Sequence, residues 1–70
     1  MRYAVVIEQA EKGYSAYVPD LPGCIAAGAS LGEVEDLIHD AIEFHLEGLI
    51  EDGLISPAPA SVVEYMELAA

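Results

Sequence analysis

The stretch Val18-Pro19-Asp20-Leu21-Pro22-Gly23-Cys24-Ile25-Ala26-Ala27-Gly28-Ala29-Ser30-Leu31-Gly32-Glu33 constrains the fold more than any other part of the chain. Pro19 and Pro22 lack a backbone N–H, so neither belongs inside a central strand. Pro22-Gly23 is turn chemistry: proline presets φ and glycine accepts a positive one. Ser30 and Glu33 have the spacing of a capping box, in which each side chain bonds the other's backbone N–H. One strand must therefore end near Val18, a second must fit between Cys24 and Ala29, and a helix must start at Leu31.

The elements on either side follow from periodicity. Residues 2–9 are short, β-branched and aromatic, which predicts a first strand. Tyr3, Val5 and Ile7 share one face, while Ala4, Val6 and Glu8 share the other; two mostly apolar faces suggest a central strand. Residues 10–13 read as a hairpin loop ending in Gly13, and residues 14–18 as the second strand. Residues 24–29 read as a third strand of small side chains, which would let a helix approach closely.

From Leu31 to Asp52 the residues Leu31, Val34, Leu37, Ile38, Ala41, Ile42, Leu46, Leu49 and Ile50 recur at steps typical of one helix face. Gly53 is placed to end that helix. A helix of this length outruns a strand of five or six residues. Phe44, Leu46, Leu49 and Ile50 on its overhanging half are therefore expected to need cover from another chain. Residues 54–60 form a proline-containing connector. Residues 61–68, Ser61-Val62-Val63-Glu64-Tyr65-Met66-Glu67-Leu68, favour a fourth strand on propensity, with helix as the competing reading.

A βββαβ order has one natural assembly. Three strands joined by short loops make an antiparallel meander, and the helix then crosses back to set the last strand beside the first. The expected fold is α+β, a two-layer domain over residues 1–70 with sheet order 3-2-1-4 and strand 4 parallel to strand 1. A single helix leaves one sheet face bare. A 70-residue domain has a marginal core, yet 54% of these residues are apolar and mean hydropathy is +0.38. Self-association, as a dimer or larger, is expected.

Charge bounds the partners. Thirteen acids face only Arg2 and Lys12, for a net charge of −11. Nucleic acid is an unsuitable direct partner, because binding it requires basic residues that displace counterions. A basic protein is a suitable one. The acids are also patterned: Glu33, Asp36, Asp40, Glu43, Glu47 and Glu51 form one stripe on the helix, with no Lys or Arg among them. Like charges four residues apart weaken a helix, and acids near its C-terminus oppose its dipole. The stripe is either a docking face for a basic partner or a face that keeps an apolar chain dissolved.

Chemistry-bearing residues are few. Cys24 excludes an intramolecular disulfide and a multi-cysteine metal cage, and reads as a small packing residue. His39 and His45 lie on different helix faces and cannot share a metal. Glu35, His39 and Glu43 are at i, i+4 and i+8, but the simpler reading is a solvated histidine between acids. Tyr3, Tyr14, Tyr17 and Tyr65 read as core or interface aromatics. The sequence contains no phosphate-cradling glycine loop, zinc motif or nucleophile grouping, so no cofactor, metal or catalytic residue is expected. It has no apolar run long enough for a membrane span and no signal-peptide pattern, which suggests a cytoplasmic chain.

Pro19-Asp20-Leu21-Pro22-Gly23-Cys24, followed by Ala27-Gly28-Ala29-Ser30-Leu31 opening a helix, resembles the N-terminal domain of the HicB-like antitoxin family. The likeness runs from the first strand through the helix to Ser56-Pro57-Ala58-Pro59. The helix starts Ser30-Leu31-Gly32-Glu33-Val34 where the family usually has a Glu-Glu-Ala run. The resemblance implies a truncated ribonuclease-H-like fold without the C-terminal DNA-binding domain of many relatives. It implies a non-enzymatic antitoxin that neutralises a small basic HicA-type ribonuclease toxin. A stand-alone homo-oligomeric domain binding another protein or a small ligand is the alternative. A degenerate metal-dependent nuclease is a third reading, for which only Glu8 and Glu64 could serve from the sheet.

Overall fold

The computed structural model describes residues 1–69. Its elements run in the order β1 (Val6–Ala10), β2 (Gly13–Tyr17), β3 (Ile25–Gly28) and α1 (Leu31–Glu51). The three strands form an antiparallel sheet in the order β1-β2-β3. Val6 pairs with Tyr17 and Ala10 with Gly13 across the first hairpin; Tyr14 pairs with Gly28 and Tyr17 with Ile25 across the second ladder. The meander and the helix lie where the sequence places them, each strand within a few residues of its expected bounds.

The tight hairpin depends on Gly13, whose φ is +146°. A Cβ at that position would sit 2.3 Å from the Gly28 carbonyl oxygen, so a side chain is excluded by backbone on the next strand. The link from β2 to β3 is two successive turns. The Leu21 N–H donates to the Val18 carbonyl at 3.1 Å, and the Cys24 N–H donates to the Leu21 carbonyl at 3.1 Å. Pro22 and Gly23, with φ +83° at Gly23, occupy the centre of the second, as a type II turn requires. The double turn drives Leu21 inward, where its side chain has no exposed surface.

Helix α1 begins after its Ser30 cap, and one half of the expected capping box is present: the Glu33 N–H donates to Ser30 Oγ at 3.1 Å. It ends in a Schellman arrangement. The Gly53 N–H donates to the Ile50 carbonyl and the Leu54 N–H to the Leu49 carbonyl, at 3.0 and 2.9 Å, with Gly53 at φ +72°. These bonds satisfy carbonyls that the helix end would otherwise leave free.

The core lies between the sheet and the first half of α1. Ala16, Val18, Leu21, Cys24, Val34 and Ile38 are buried, and Tyr3, Val5, Ile7, Tyr14 and Ala26 pack around them on the same sheet face. The small third strand admits the helix closely: a Cβ on Gly28 would lie 3.0 Å from the Val34 backbone nitrogen. Cys24 is a packing residue, 3% exposed, and burial raises its thiol pKa. Among the described residues, no helix or strand covers the other sheet face. Tyr17 and Ile25, paired across β2 and β3, are exposed there.

Two expectations need correction. Residues 61–68 do not form a strand; residues 54–69 carry no regular secondary structure, and all of residues 61–69 are exposed. Strand propensity measures how well side chains pack on a pleated surface, and this segment lies on none. Order 3-2-1-4 therefore stops at 3-2-1, and the ribonuclease-H-like sheet is not completed by the described residues. β1 is accordingly an edge strand, although its two apolar faces are those of a central one.

Candidate functional site

Helix α1 presents two contrasting faces. Val34 and Ile38 are buried against the sheet, and Ala41, Ile42, Leu46 and Leu49 are half-buried behind them. Opposite, Glu33, Asp36, Asp40, Glu43, Glu47 and Glu51 are all exposed. A helix repeats every 3.6 residues, and the acids advance by three or four, so they keep to one side. No Lys or Arg occurs anywhere on the helix. The acidic stripe predicted from spacing is thus a continuous outward surface.

His39 Nδ1 lies 3.1 Å from Glu43 Oε1 and 3.7 Å from Asp40 Oδ1, all three side chains open to solvent. The histidine sits among acids as expected, but the group is His39, Asp40 and Glu43 rather than Glu35, His39 and Glu43. Glu8 is on β1 and Glu64 is in the exposed tail, so no pair of sheet carboxylates converges with the helix acids.

Phe44 is 79% exposed. It stands four residues after Asp40 and three before Glu47, which makes those acids its neighbours on the helix surface. Phe44 is thus an uncovered aromatic beside the carboxylates of the stripe. Of the residues expected to need external cover, Phe44 and Ile50 are exposed, while Leu46 and Leu49 are half-buried.

Asp20 is a polar residue whose role spacing does not reveal. Its Oδ2 accepts the N–H groups of Ala60 and Ser61, each at 2.9 Å, and its Oδ1 accepts the Ser61 hydroxyl at 2.8 Å. The Ser61 N–H, then the Ala60 N–H, then the Ser61 hydroxyl favour the charged carboxylate and lower its pKa. The Tyr3 hydroxyl donates to the Pro57 carbonyl nearby. These contacts span forty residues of sequence or more, so no local pattern around Asp20 reveals them.

Among the described residues, no helix is long and apolar enough to cross a membrane.

Comparison with known proteins gives this geometry a family. A model of the HicB-like antitoxin of bacterial toxin–antitoxin systems matches residues 3–69. An uncharacterised 14.9 kDa protein of Haemophilus phage HP1 is 39% identical over 66 residues, which cover 94% of this chain and 50% of the phage protein. The chain therefore spans half the length of that relative. A UPF0150 protein of Archaeoglobus fulgidus is 45% identical over 56 residues, covering 76% of this chain and 81% of that protein. A chain from a complex described as the HicA3 and HicB3 toxin–antitoxin complex superposes with a TM-score of 0.73 at 28% identity. That match covers 86% of this chain and 70% of the other. The double turn at Pro19 to Cys24, the Ser30-capped helix and the family match over nearly every residue agree: the chain belongs to the HicB-like antitoxin family.

Proposed function

We propose that this chain is a non-enzymatic antitoxin module that docks a small basic HicA-type ribonuclease toxin on the outer face of α1. The observation that carries the reading is the stripe of six exposed acids with no cation on the helix and Phe44 uncovered among them. A face built only for solubility needs no aromatic, and mixed charges would serve it with less cost to the helix. The similarity to a chain of a HicA3–HicB3 complex supports a toxin as the partner. In this reading both proteins meet in the cytoplasm, and the acids blunt the toxin by occupying its basic surface.

Charge complementarity acts chiefly on association rate and on its response to salt. Glu43→Gln with Glu47→Gln is expected to slow association with the cognate toxin and to flatten its salt dependence. Equilibrium affinity falls less, since exposed ion pairs contribute only about 0–1 kcal/mol each. Stopped-flow association at low and high salt is the measurement. Equal rates and equal salt slopes for wild type and double variant would reduce the stripe to a solubility face.

A further inference from the structure

We propose that residues 62–68 are the fourth strand of a second copy's sheet, laid along the open edge of its β1, so that two chains exchange tails. Three features of the chain meet in this inference. Among the described residues β1 pairs with β2 alone, so its other edge carries unpaired backbone groups. Beside that edge, a mainly apolar groove runs between β1 and α1, lined by Tyr3, Val5, Ile7, Ile38 and Ile42 with Glu35 and His39 at its helix side, because the helix packs over β2 and β3. The tail supplies what both lack: Val62, Met66 and Leu68 alternate onto one side and Val63 and Tyr65 onto the other. Val62, Tyr65, Met66 and Leu68 are each at least 80% exposed.

The dimensions agree. The seven residues 62–68 match the seven from Tyr3 to Gln9, each about 23 Å when extended. In the register that sets Val62, Met66 and Leu68 on the side of the groove, Glu64 is the one charge among them. The exposed long edge and the exposed apolar segment are each hazards that proteins normally cover. One pairing removes both.

The way the tail is rooted selects a second copy over the same chain. Asp20 clamps Ala60 and Ser61 at the β2–β3 turn, which lies across β1 from its open edge. The chain then passes the start of β1, where Val62 and Val63 lie beside Arg2 to Ala4. Beyond that point the tail does not follow its own β1 edge: residues 62–68 join no strand of the described sheet and stay exposed. Instead the molecule is drawn out to 49 Å, against about 32 Å for the helix. Exchange between identical copies is reciprocal, so a single two-fold contact seats two tails.

This inference needs no toxin, and its salt response separates it from toxin docking. Two chains of net charge −11 repel, so screening strengthens their pairing, whereas it weakens capture of a basic protein. Sedimentation equilibrium of the full chain should show a dimer that tightens as salt rises. In a sample mixing isotope-labelled and unlabelled chains, filtered nuclear Overhauser spectra should place Met66 and Leu68 of one copy against Tyr3, Val5 and Ile7 of the other. Met66→Asp should weaken dimerisation roughly tenfold or more, because each dimer loses two buried methionines, with the helical circular dichroism unchanged. A monomer, a dimer held only by the Tyr17–Ile25 face, or tail contacts confined within one copy would overturn the proposal. The spectra decide on the wild-type chain should the variant fail to fold.

Discussion

Residues 16–38 and residues 43–69 are of similar length and similarly rich in apolar side chains, yet they fold under opposite terms. The first region holds every buried residue of the described chain; the second holds none. In the first, turns, caps and small residues bring Ala16, Val18, Leu21, Cys24, Val34 and Ile38 together in one core. In the second, Phe44, Ile50, Ile55, Tyr65, Met66 and Leu68 face water. Apolar content alone therefore does not make a core. What distinguishes the regions is local punctuation that closes the chain on itself.

The sharpest way to test that contrast is to shorten one apolar residue in each region. Leu21→Ala removes a side chain with no exposed surface from the centre of the small core. A loss of about 2–5 kcal/mol is expected, most of what a domain of this size holds, so the variant should be largely unfolded without denaturant. Ile55→Ala, at a site 92% exposed, should move stability by no more than about 0.5 kcal/mol. Urea titrations followed by circular dichroism give both values. Equal shifts would erase the distinction between the regions.

The next effect is in the backbone of the closed region. Gly13→Ala forces a side chain into φ +146° and into the Gly28 carbonyl oxygen. The expected cost is roughly 1–3 kcal/mol, measured in the same titration. The chemical shifts of β1, β2 and β3 should move together, because the clash lies where the hairpin meets the third strand. Wild-type stability would mean that the hairpin tip carries no such constraint.

The same contrast explains what could be read from the chain. The meander, the Ser30 start and the Gly53 stop of the helix were legible because each is fixed by residues a few positions apart. The acidic stripe was legible for the same reason, since helical spacing alone decides it. Leu21 was opaque: its burial comes from two successive turns, and a lone leucine between prolines has no periodicity. The fourth strand was misplaced for the opposite reason. Val62 to Leu68 has the composition of a strand, but a strand is a relation between two segments, and its partner cannot be deduced from its own residues. β1 has the same ambiguity, with central-strand faces at an open edge. The Asp20 clamp, reaching across forty residues to Ser61, lies beyond any local rule.

That clamp joins the two regions, and it gives the smallest and most local prediction. In the folded chain the Asp20 carboxylate titrates below its ordinary value, because Ser61 and Ala60 donate to its charged form. A group with a lowered folded pKa stabilises the structure above its unfolded value and loses that contribution as pH falls through the folded one. The clamp should therefore be complete above about 3.9, the value for a free aspartate, and should loosen progressively below it. Asp20 is only half-buried, so global unfolding should hardly register the change. The readout is local: amide exchange at Ala60 and Ser61, followed across that range at fixed temperature and corrected for intrinsic rates. Protection of both amides should fall as the carboxylate takes up its proton. Asp20→Asn keeps one oxygen acceptor but no charge, so it should show weaker protection that no longer varies with pH. The Val34 and Ile38 amides, inside α1, should be unaffected in either protein. Protection at Ala60 and Ser61 that is identical in the two proteins and flat with pH would mean that Asp20 does not hold the root of the tail, and the connection between the closed region and the outward one would have to lie with Tyr3 and Pro57 instead.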